Sequence, residues 1–230
     1  MPSRRSIEST PKAGPPASAS AEAPLDCALC PRLAAFRAAN AIAEPAWFNA
    51  PVPSFGNSGA RLLVVGLAPG LKGANRTGRP FTGDFAGDLL YSTLLRHGFA
   101  RGVYAARADD GLTLVDSMIA NAVRCVPPEN KPTPAEAATC NRFLASRIAA
   151  QSRLRAILAL GRIAHDATLA ALGVRKAAHP FAHGAEHHLT SGVTLFDSFH
   201  CSRYNTSTRR LTPEMFDAVL ARIRSRLDAG

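Results

Sequence analysis

The sequence predicts an α/β fold in which helices cover both faces of a parallel β-sheet. Short continuous apolar runs, typical of strands buried on both faces, recur along the 230 residues. Segments with helical spacing of apolar residues lie between these runs, and such alternation favours parallel strands joined by helices. A chain of this length fits one domain, which we expect to span residues 25–230.

Four apolar runs are predicted strands: residues 61–66, 117–121, 155–160 and 193–196. The carboxyl ends of parallel strands meet at one edge of a sheet, and functional groups gather there. Residues that could bind a ligand or take part in catalysis lie at the ends of three of these runs. They are the turn 66–70, Asn121 and His200. We therefore expect these three positions to lie close together.

Four helices are predicted between and after the strands. They begin after Asp84, at Pro134, at Arg162 and at Pro213. The second has the strongest start signal, because Thr133 and Glu136 form a capping box around a proline at the first helical position. Its predicted inward face carries Cys140.

The first 24 residues differ from the rest of the chain. They are rich in proline, alanine and serine and contain no aromatic residue. Such a segment cannot bury enough apolar surface to offset the entropy lost on ordering. We therefore predict a disordered N-terminal tail over residues 1–24.

The charge and hydropathy of the chain limit its function class. Lysine and arginine total 27 against 17 acidic residues, and the net charge of +10 predicts a polyanionic partner, nucleic acid first. No apolar run approaches the roughly 20 residues that span a bilayer, and no signal-peptide pattern is present. We expect an intracellular protein that does not bind membranes. Nothing in the sequence indicates an oligomer, so we expect a monomer.

Four of the five cysteines form a candidate metal site. Cys27 and Cys30 make a Cys-x-x-Cys motif, and Cys125 and Cys140 lie on two other predicted elements. A lone Cys-x-x-Cys is also compatible with a redox pair or with core thiols, but a second pair favours a metal. Spacing alone leaves both tetrahedral zinc and a [4Fe–4S] cluster open. Cys201, in a polar stretch after His200, is left outside this set.

A glycine-rich segment, residues 66–87, follows the first predicted strand. It contains neither the phosphate-loop pattern nor the dinucleotide-binding pattern, so those two nucleotide-binding classes are excluded. It offers the flat ring of Phe81 and the carboxylate of Asp84. Taken singly, Asp84 is interpreted as a helix cap and Phe81 as a core residue, while Asn121 and His200 fit structural roles. Only their combination indicates a site.

Three segments together carry a family resemblance: GLAPG…GANRTGRPFTGD, NAVRCVPPENK and HCSRYNTSTRRLT. They resemble the iron–sulfur uracil-DNA glycosylases, families 4 and 5, from Cys27 to about Leu211. Family 5, also called type B, is the better match, because Leu67-Ala68-Pro69 has no acidic residue where family 4 has Gly-Glu-Ala-Pro. Two departures are Gly70 in place of a common alanine and Cys201 in place of the usual proline.

The resemblance implies a three-layer α/β/α fold with a central four-stranded parallel sheet. It implies a [4Fe–4S] cluster, and its expected ligands are Cys27, Cys30, Cys125 and Cys140. It also implies a DNA partner that contains uracil or another deaminated base. The expected reaction flips that base out and hydrolyses its N-glycosidic bond, which leaves an abasic site.

The resemblance also implies roles for single residues. The expected catalytic residues are Asp84, which acts on water, His200, which stabilises the departing uracil, and Asn121. Phe81 is expected to stack on the base, and Asn121 to read its edge. Other expected substrate-binding residues are Gly66, Ala68, Ser202 and Arg203. The loop after His200 also carries Arg209 and Arg210, whose charge suits DNA phosphates.

Three points stay open at the level of the sequence. A family 4-like, uracil-specific glycosylase and a non-catalytic nucleic-acid-binding module held together by a metal are the alternative functions. Residues 179–188 contain four histidines, which suit either a second metal site or a loop near the active site or DNA. The effect of Cys201 in place of proline is also open.

Overall fold

The protein is described by a computed structural model, which covers residues 21–229. Its strands, in chain order, are β1 (Phe55–Gly56), β2 (Leu62–Gly66), β3 (Ala100–Arg101), β4 (Thr113–Leu114), β5 (Ser117–Asn121), β6 (Ala156–Leu160), β7 (Glu186–His188) and β8 (Thr194–Ser198). Its α-helices are α1 (Pro31–Ala43), α2 (Ala74–Thr77), α3 (Phe85–Arg96), α4 (Pro134–Ala149), α5 (Arg162–Ala171), α6 (Arg203–Ser207) and α7 (Pro213–Asp228).

Six of these strands form the main sheet, in the order β1-β5-β2-β6-β8-β7. The central strands β5, β2, β6 and β8 are parallel, and the edge strands β1 and β7 are antiparallel to their neighbours. The four parallel strands confirm the predicted sheet. The edge strands, of two and three residues, were not predicted because segments so short carry no periodic signal. Strands β3 and β4 form a separate antiparallel pair.

Helices pack on both faces of the sheet, which gives three layers. Successive residues of a strand point to opposite faces, and β2 illustrates this. Leu62 and Val64 share one apolar cluster with residues of α3 and α7, whereas Leu63 and Val65 share another with residues of α4 and α5. Each fully buried leucine contributes about 1.5–3 kcal/mol through removal of apolar surface from water.

The predicted helices begin where their start signals lie. Asp84, Thr133 and Thr212 each cap a helix with a side-chain oxygen. The capping box of α4 is present in both directions. Helix α1 was not predicted; Arg32 in it donates hydrogen bonds to both carboxylate oxygens of Glu136, at 2.8 and 2.7 Å, and so ties α1 to α4.

The expected N-terminal tail is only partly within the described residues. Residues 1–20 lie outside them, but residues 21–24 are described. Glu22 accepts a hydrogen bond from the Ser54 backbone at 3.0 Å and forms ion pairs with Arg124 and Arg147. Glu22, within the segment expected to be a tail, thus contacts the domain. Within residues 21–229, no helix is long and apolar enough to cross a membrane.

Candidate functional site

A cavity of about 680 Å³ opens at the carboxyl edge of the parallel strands. Seven of the predicted site residues line it: Ala68, Phe81, Asp84, Asn121, His200, Ser202 and Arg203. They come from the loop after β2, from the end of β5 and from the loop after β8. The structure thus brings together side chains that are up to 135 positions apart in the chain (residues 68 and 203).

Sequence reasoning did not single out several other lining residues, among them Lys72, Phe85 and Asn130. Lys72 lies in the glycine-rich segment and Asn130 in the NAVRCVPPENK segment. Their positions within the segments that carry the family resemblance were the sequence signal that could have identified these two residues. Their residue types, common at any surface, gave no separate indication.

Gly66, a predicted substrate-binding residue, does not itself line the cavity but permits a close approach of two residues that do. A Cβ added there would lie 2.5 Å from Oδ1 of Asn121 and 2.5 Å from Cζ of Phe81. Gly66 pairs in register with Asn121, since β2 and β5 are parallel neighbours. Because a side chain at this position would displace both groups, glycine keeps the amide and the ring next to each other.

Phe81 adopts a backbone conformation that bulky residues rarely occupy. Its φ angle is +53°, and such a conformation costs on the order of 1–3 kcal/mol. The residue is only 6% exposed, and its ring stacks on that of His200 with 5.8 Å between centroids and 29° between planes. The loop therefore holds this ring in a defined place at the cavity wall despite the strain.

Asn121 presents an unused acceptor. It is 2% exposed, and within residues 21–229 its Oδ1 has no hydrogen-bond partner. A buried polar atom without a partner is costly, so it is expected to bond with something that enters the site. The side-chain amide can accept one hydrogen bond and donate another along the same edge.

Asp84 acts as a helix cap and also faces the cavity. Its Oδ1 accepts a hydrogen bond from the Gly87 backbone at 3.3 Å, as the simple interpretation predicted. Its Oδ2 faces the glycine-rich loop, since a Cβ added to Gly73 would lie 2.4 Å from it. Burial raises the pKa of this carboxyl, although backbone hydrogen bonds oppose the shift.

His200 is neutral at physiological pH. Burial lowers its pKa to about 4, so the ring carries one N–H donor and one acceptor nitrogen near pH 7. The carbonyl of His200 accepts a hydrogen bond from Asn205 Nδ2 at 2.8 Å, which anchors the loop to α6. The neighbouring Cys201 is fully buried in the core and not exposed in a polar loop.

The rim of the cavity near α6 is basic and partly aromatic. Ser202 caps α6, and the guanidinium of Arg203 lies 5.0 Å from the centre of the Phe85 ring. Tyr204 is 71% exposed. Arg209 and Arg210 follow α6 at the surface, and Arg210 packs on the ring of Phe199 at 4.6 Å. Arg203 lines the cavity, and Tyr204, Arg209 and Arg210 continue the same exposed, basic segment of the chain.

A second, smaller pocket is lined by all four predicted metal ligands: Cys27, Cys30, Cys125 and Cys140. None of the cysteines forms a disulfide. Sγ of Cys140 accepts a hydrogen bond from the Arg124 backbone at 3.3 Å. Burial raises the pKa of the Cys30, Cys125 and Cys140 thiols, that of Cys125 to about 12.

The histidine-rich segment contributes to a buried network away from the cavity. Ligand atoms of His165, His187 and Asp197 lie within 4.8 Å of one another. Asp197 bonds to His165 Nδ1 at 2.7 Å and to His187 Nε2 at 3.1 Å, and His165 Nε2 faces the carbonyl of His179 at 2.9 Å. Burial is the largest single influence and lowers the pKa of His165, but the hydrogen bond to Asp197, the charge of that carboxylate and the contact with the His179 carbonyl together outweigh it, and the pKa is raised. These atoms satisfy one another and hold α5 against β7 and β8.

Comparison with known proteins assigns the chain to a family. Residues 53–224 match the Uracil DNA glycosylase superfamily. A type-5 uracil-DNA glycosylase of Thermus thermophilus is 48% identical over 200 residues, which cover 84% of this chain and 90% of the relative. The type-5 enzyme of Mycobacterium bovis is 42% identical over 201 residues, or 84% of this chain and 75% of the relative. That of Pyrobaculum aerophilum is 40% identical over 210 residues, or 90% of each chain. The chain therefore belongs to the uracil-DNA glycosylase superfamily and, within it, groups with the type-5 enzymes.

Proposed function

We propose that this protein repairs DNA by excising uracil through hydrolysis of the N-glycosidic bond, which leaves an abasic site. The observation that carries the proposal is the single cavity lined by Phe81, Asp84, Asn121 and His200. Membership of the uracil-DNA glycosylase superfamily supports the same reaction. The proposed enzyme acts as a monomer, inside the cell where its DNA substrate lies.

The first step is recognition of a base that has left the helix. Unstacking a nucleotide costs a few kcal/mol, and stacking on an aromatic ring returns about 1–3 kcal/mol per base. The ring of Phe81 supplies this surface. The amide of Asn121 matches uracil, because its unpartnered Oδ1 accepts from N3–H and its Nδ2 donates to O4.

The second step breaks the bond between the base and the sugar. The sugar becomes oxocarbenium-like as the bonding electron pair leaves with uracil. The carboxylate of Asp84 stabilises this cation and orients the water whose oxygen attacks the sugar carbon. The proton that this water loses neutralises the departing uracil anion. The neutral ring of His200 donates a hydrogen bond to uracil O2 and stabilises the charge on the departing base.

We propose that the four cysteines of the smaller pocket hold a [4Fe–4S] cluster. The donor set fits, since four free thiols converge among apolar neighbours. Arg124 also lines this pocket, and within residues 21–229 its buried Nε and Nη2 have no hydrogen-bond partner. Such donors suit the negative charge of a thiolate-bound cluster. When bound, the cluster would cross-link three chain segments, and no step above requires an electron.

Iron and acid-labile sulfide analysis tests the cluster. Protein purified without oxygen should be brown and contain both elements in equal amounts. A colourless preparation with one zinc per chain would show that the same cysteines serve a zinc site.

A uracil-containing oligonucleotide treated with alkali tests the proposed activity. Strand scission at uracil is expected, because alkali cleaves an abasic site. Intact strands together with measurable binding would favour the non-catalytic DNA-binding module. Oligonucleotides with hypoxanthine or xanthine separate the remaining alternatives, since we propose that other deaminated bases are also excised, whereas a family 4-like enzyme is specific for uracil.

A further inference from the structure

A buried arginine lies next to the segment that carries Phe81. Arg79 is 5% exposed and Asp110 has a fully buried side chain. Nη1 and Nη2 of Arg79 donate to the two carboxylate oxygens of Asp110, each at 2.8 Å. This bidentate ion pair fixes the orientation of the guanidinium relative to the carboxylate. The hydrogen bonds from Arg79 hold the pKa of Asp110 far below its ordinary value.

Arg79 also spans the segment 79–82, which carries Phe81. Its Nε donates to Oγ1 of Thr82 at 2.7 Å, and the Thr82 hydroxyl donates to the carbonyl of Pro80 at 3.2 Å. The guanidinium lies over the rings of three aromatic residues at 5.2 to 5.9 Å, namely Phe55, Tyr91 and Tyr104. Thr82, which follows Phe81, is thus bonded directly to Arg79, and Pro80, which precedes Phe81, is bonded to Thr82.

Two tyrosines donate hydrogen bonds to backbone carbonyl groups of the same segment. The Tyr91 hydroxyl donates to the carbonyl of Pro80 at 2.7 Å, and the Tyr104 hydroxyl donates to that of Phe81 at 3.1 Å. The two rings stack with centroids 4.6 Å apart. Gly87 packs closely against the same carbonyl of Phe81, because a Cβ at this position would lie 1.9 Å from the carbonyl oxygen.

This arrangement explains how Phe81 stays in its unfavourable conformation. A φ angle of +53° is not the intrinsic preference of phenylalanine, so surrounding contacts must impose it. Neither Arg79 nor Asp110 lines the cavity, and neither contacts the site where a base would lie. A buried ion pair gives little stability in itself but selects one conformation in some proteins.

We propose that Arg79, oriented by Asp110, is a positioning residue that holds the ring of Phe81 in the plane where it stacks on the extruded base. The inference rests on the proposed function only in that a base is what stacks on Phe81. Its structural part, that the ion pair sets the place of the ring, is independent of the reaction.

The first test measures single-turnover excision by Asp110→Asn, by Phe81→Ala and by the double variant. Asp110→Asn should lower the rate by about 10- to 100-fold, because small misplacements of a substrate-positioning group cost this much. If the ion pair acts through the ring, the double variant should be no slower than Phe81→Ala. If the fold-loss in excision rate of the double variant equals the product of the two single losses, the proposal is overturned. Asp217→Asn is the matched control, since it removes an exposed ion pair with Arg96 elsewhere in the fold.

A second variant and a readout other than activity complete the test. Tyr104→Phe removes one hydroxyl and keeps its ring, so it should fold and lower the rate by about 3- to 10-fold. The NMR signal of the His200 ring, which stacks on Phe81, should shift in Asp110→Asn and Tyr104→Phe but not in Asp217→Asn. Unchanged signals and rates in both variants would contradict the positioning role. Shifted signals in a protein that releases no uracil would leave that role standing and refute the proposed function.

Discussion

At the scale of single residues, the candidate site consists of groups whose ordinary behaviour is altered by burial. The carboxyl of Asp84 has a raised pKa, and the imidazole of His200 has a pKa lowered to about 4. Asn121 has an amide oxygen with no partner in the described part of the chain. A negative carboxylate, a neutral donor and a free amide are the three groups that base excision requires.

Replacing Asp84 by asparagine should lower single-turnover excision by about 10²- to 10⁴-fold. The amide keeps a cap for α3 but cannot stabilise a positive sugar. Binding to uracil-containing DNA should persist, as measured by fluorescence anisotropy. Asp88→Asn, in the first turn of the same helix, is the matched control and should retain its rate. Full activity in Asp84→Asn would remove the assigned role.

The excision rate should fall on acidification through protonation of Asp84. Burial raises the pKa of this carboxyl above its ordinary value of 3.8. Because the ionised form is active, the rate is present above that raised pKa and is lost as the pH falls through it. Single-turnover rates over a pH series, with circular dichroism to verify folding, measure this acid limb. His200→Asn should be slower with the same limb, and loss of the limb in that variant would assign it to His200.

At the scale of elements, the site follows from the ends of parallel strands. The apolar runs and capping signals predicted β2, β5, β6, β8 and helices α3, α4, α5 and α7, because long periodic segments carry enough local information. The order of the strands made the turn after β2, Asn121 and His200 neighbours, as predicted. The place of Cys201 was wrong, since burial of one residue in a polar stretch depends on tertiary packing.

The ion pair of Arg79 and Asp110 beside the Phe81 segment could not be predicted from the sequence for a related reason. Arg79 and Asp110 are 31 residues apart, and neither residue type predicts burial. The positive φ angle of Phe81 had no sequence signal either, because it depends on contacts that its segment makes with Tyr104, Arg79 and Gly87. Local patterns predict elements, whereas such strained segments depend on contacts made only after folding.

Gly66→Ala should impair excision, because Gly66 on β2 lies directly beside Asn121 on β5. The added Cβ would lie 2.5 Å from both Asn121 and Phe81, so the amide and the ring would move apart. We expect a loss of more than about tenfold in kcat/KM with the fold retained. Gly59→Ala is the control, because its Cβ would meet one atom at an ordinary 3.4 Å. An active Gly66→Ala variant would contradict the close approach.

At the scale of the whole molecule, a strongly basic chain has a lysine and an arginine in the lining of its candidate site cavity. The net charge is +10. Lys72 and Arg203 line the cavity, and Arg209 and Arg210 are exposed a few residues after Arg203. The smaller cysteine pocket and the buried histidine–aspartate group share no residue with the lining of this cavity. The region proposed to contact DNA is thus distinct from both groups.

Replacing Arg209 and Arg210 with alanine should reduce the salt dependence of DNA binding. Each lost phosphate contact lowers the slope of log K against log salt by about 0.9, so the double variant should lose nearly two. Arg153 and Arg155 precede β6 at the opposite edge of the sheet, and their double alanine variant should keep the slope. Equal slopes in all three proteins would place the DNA elsewhere.

Analysis of the products released from a uracil-containing duplex shows whether the proposed cavity both binds a base and cleaves its bond to the sugar. Chromatography of the free base and quantification of abasic sites should give uracil and abasic DNA in equal amounts. Asp84→Asn should give neither product while it still binds the duplex. Bound but unaltered DNA, or cut strands without free uracil, would contradict the account.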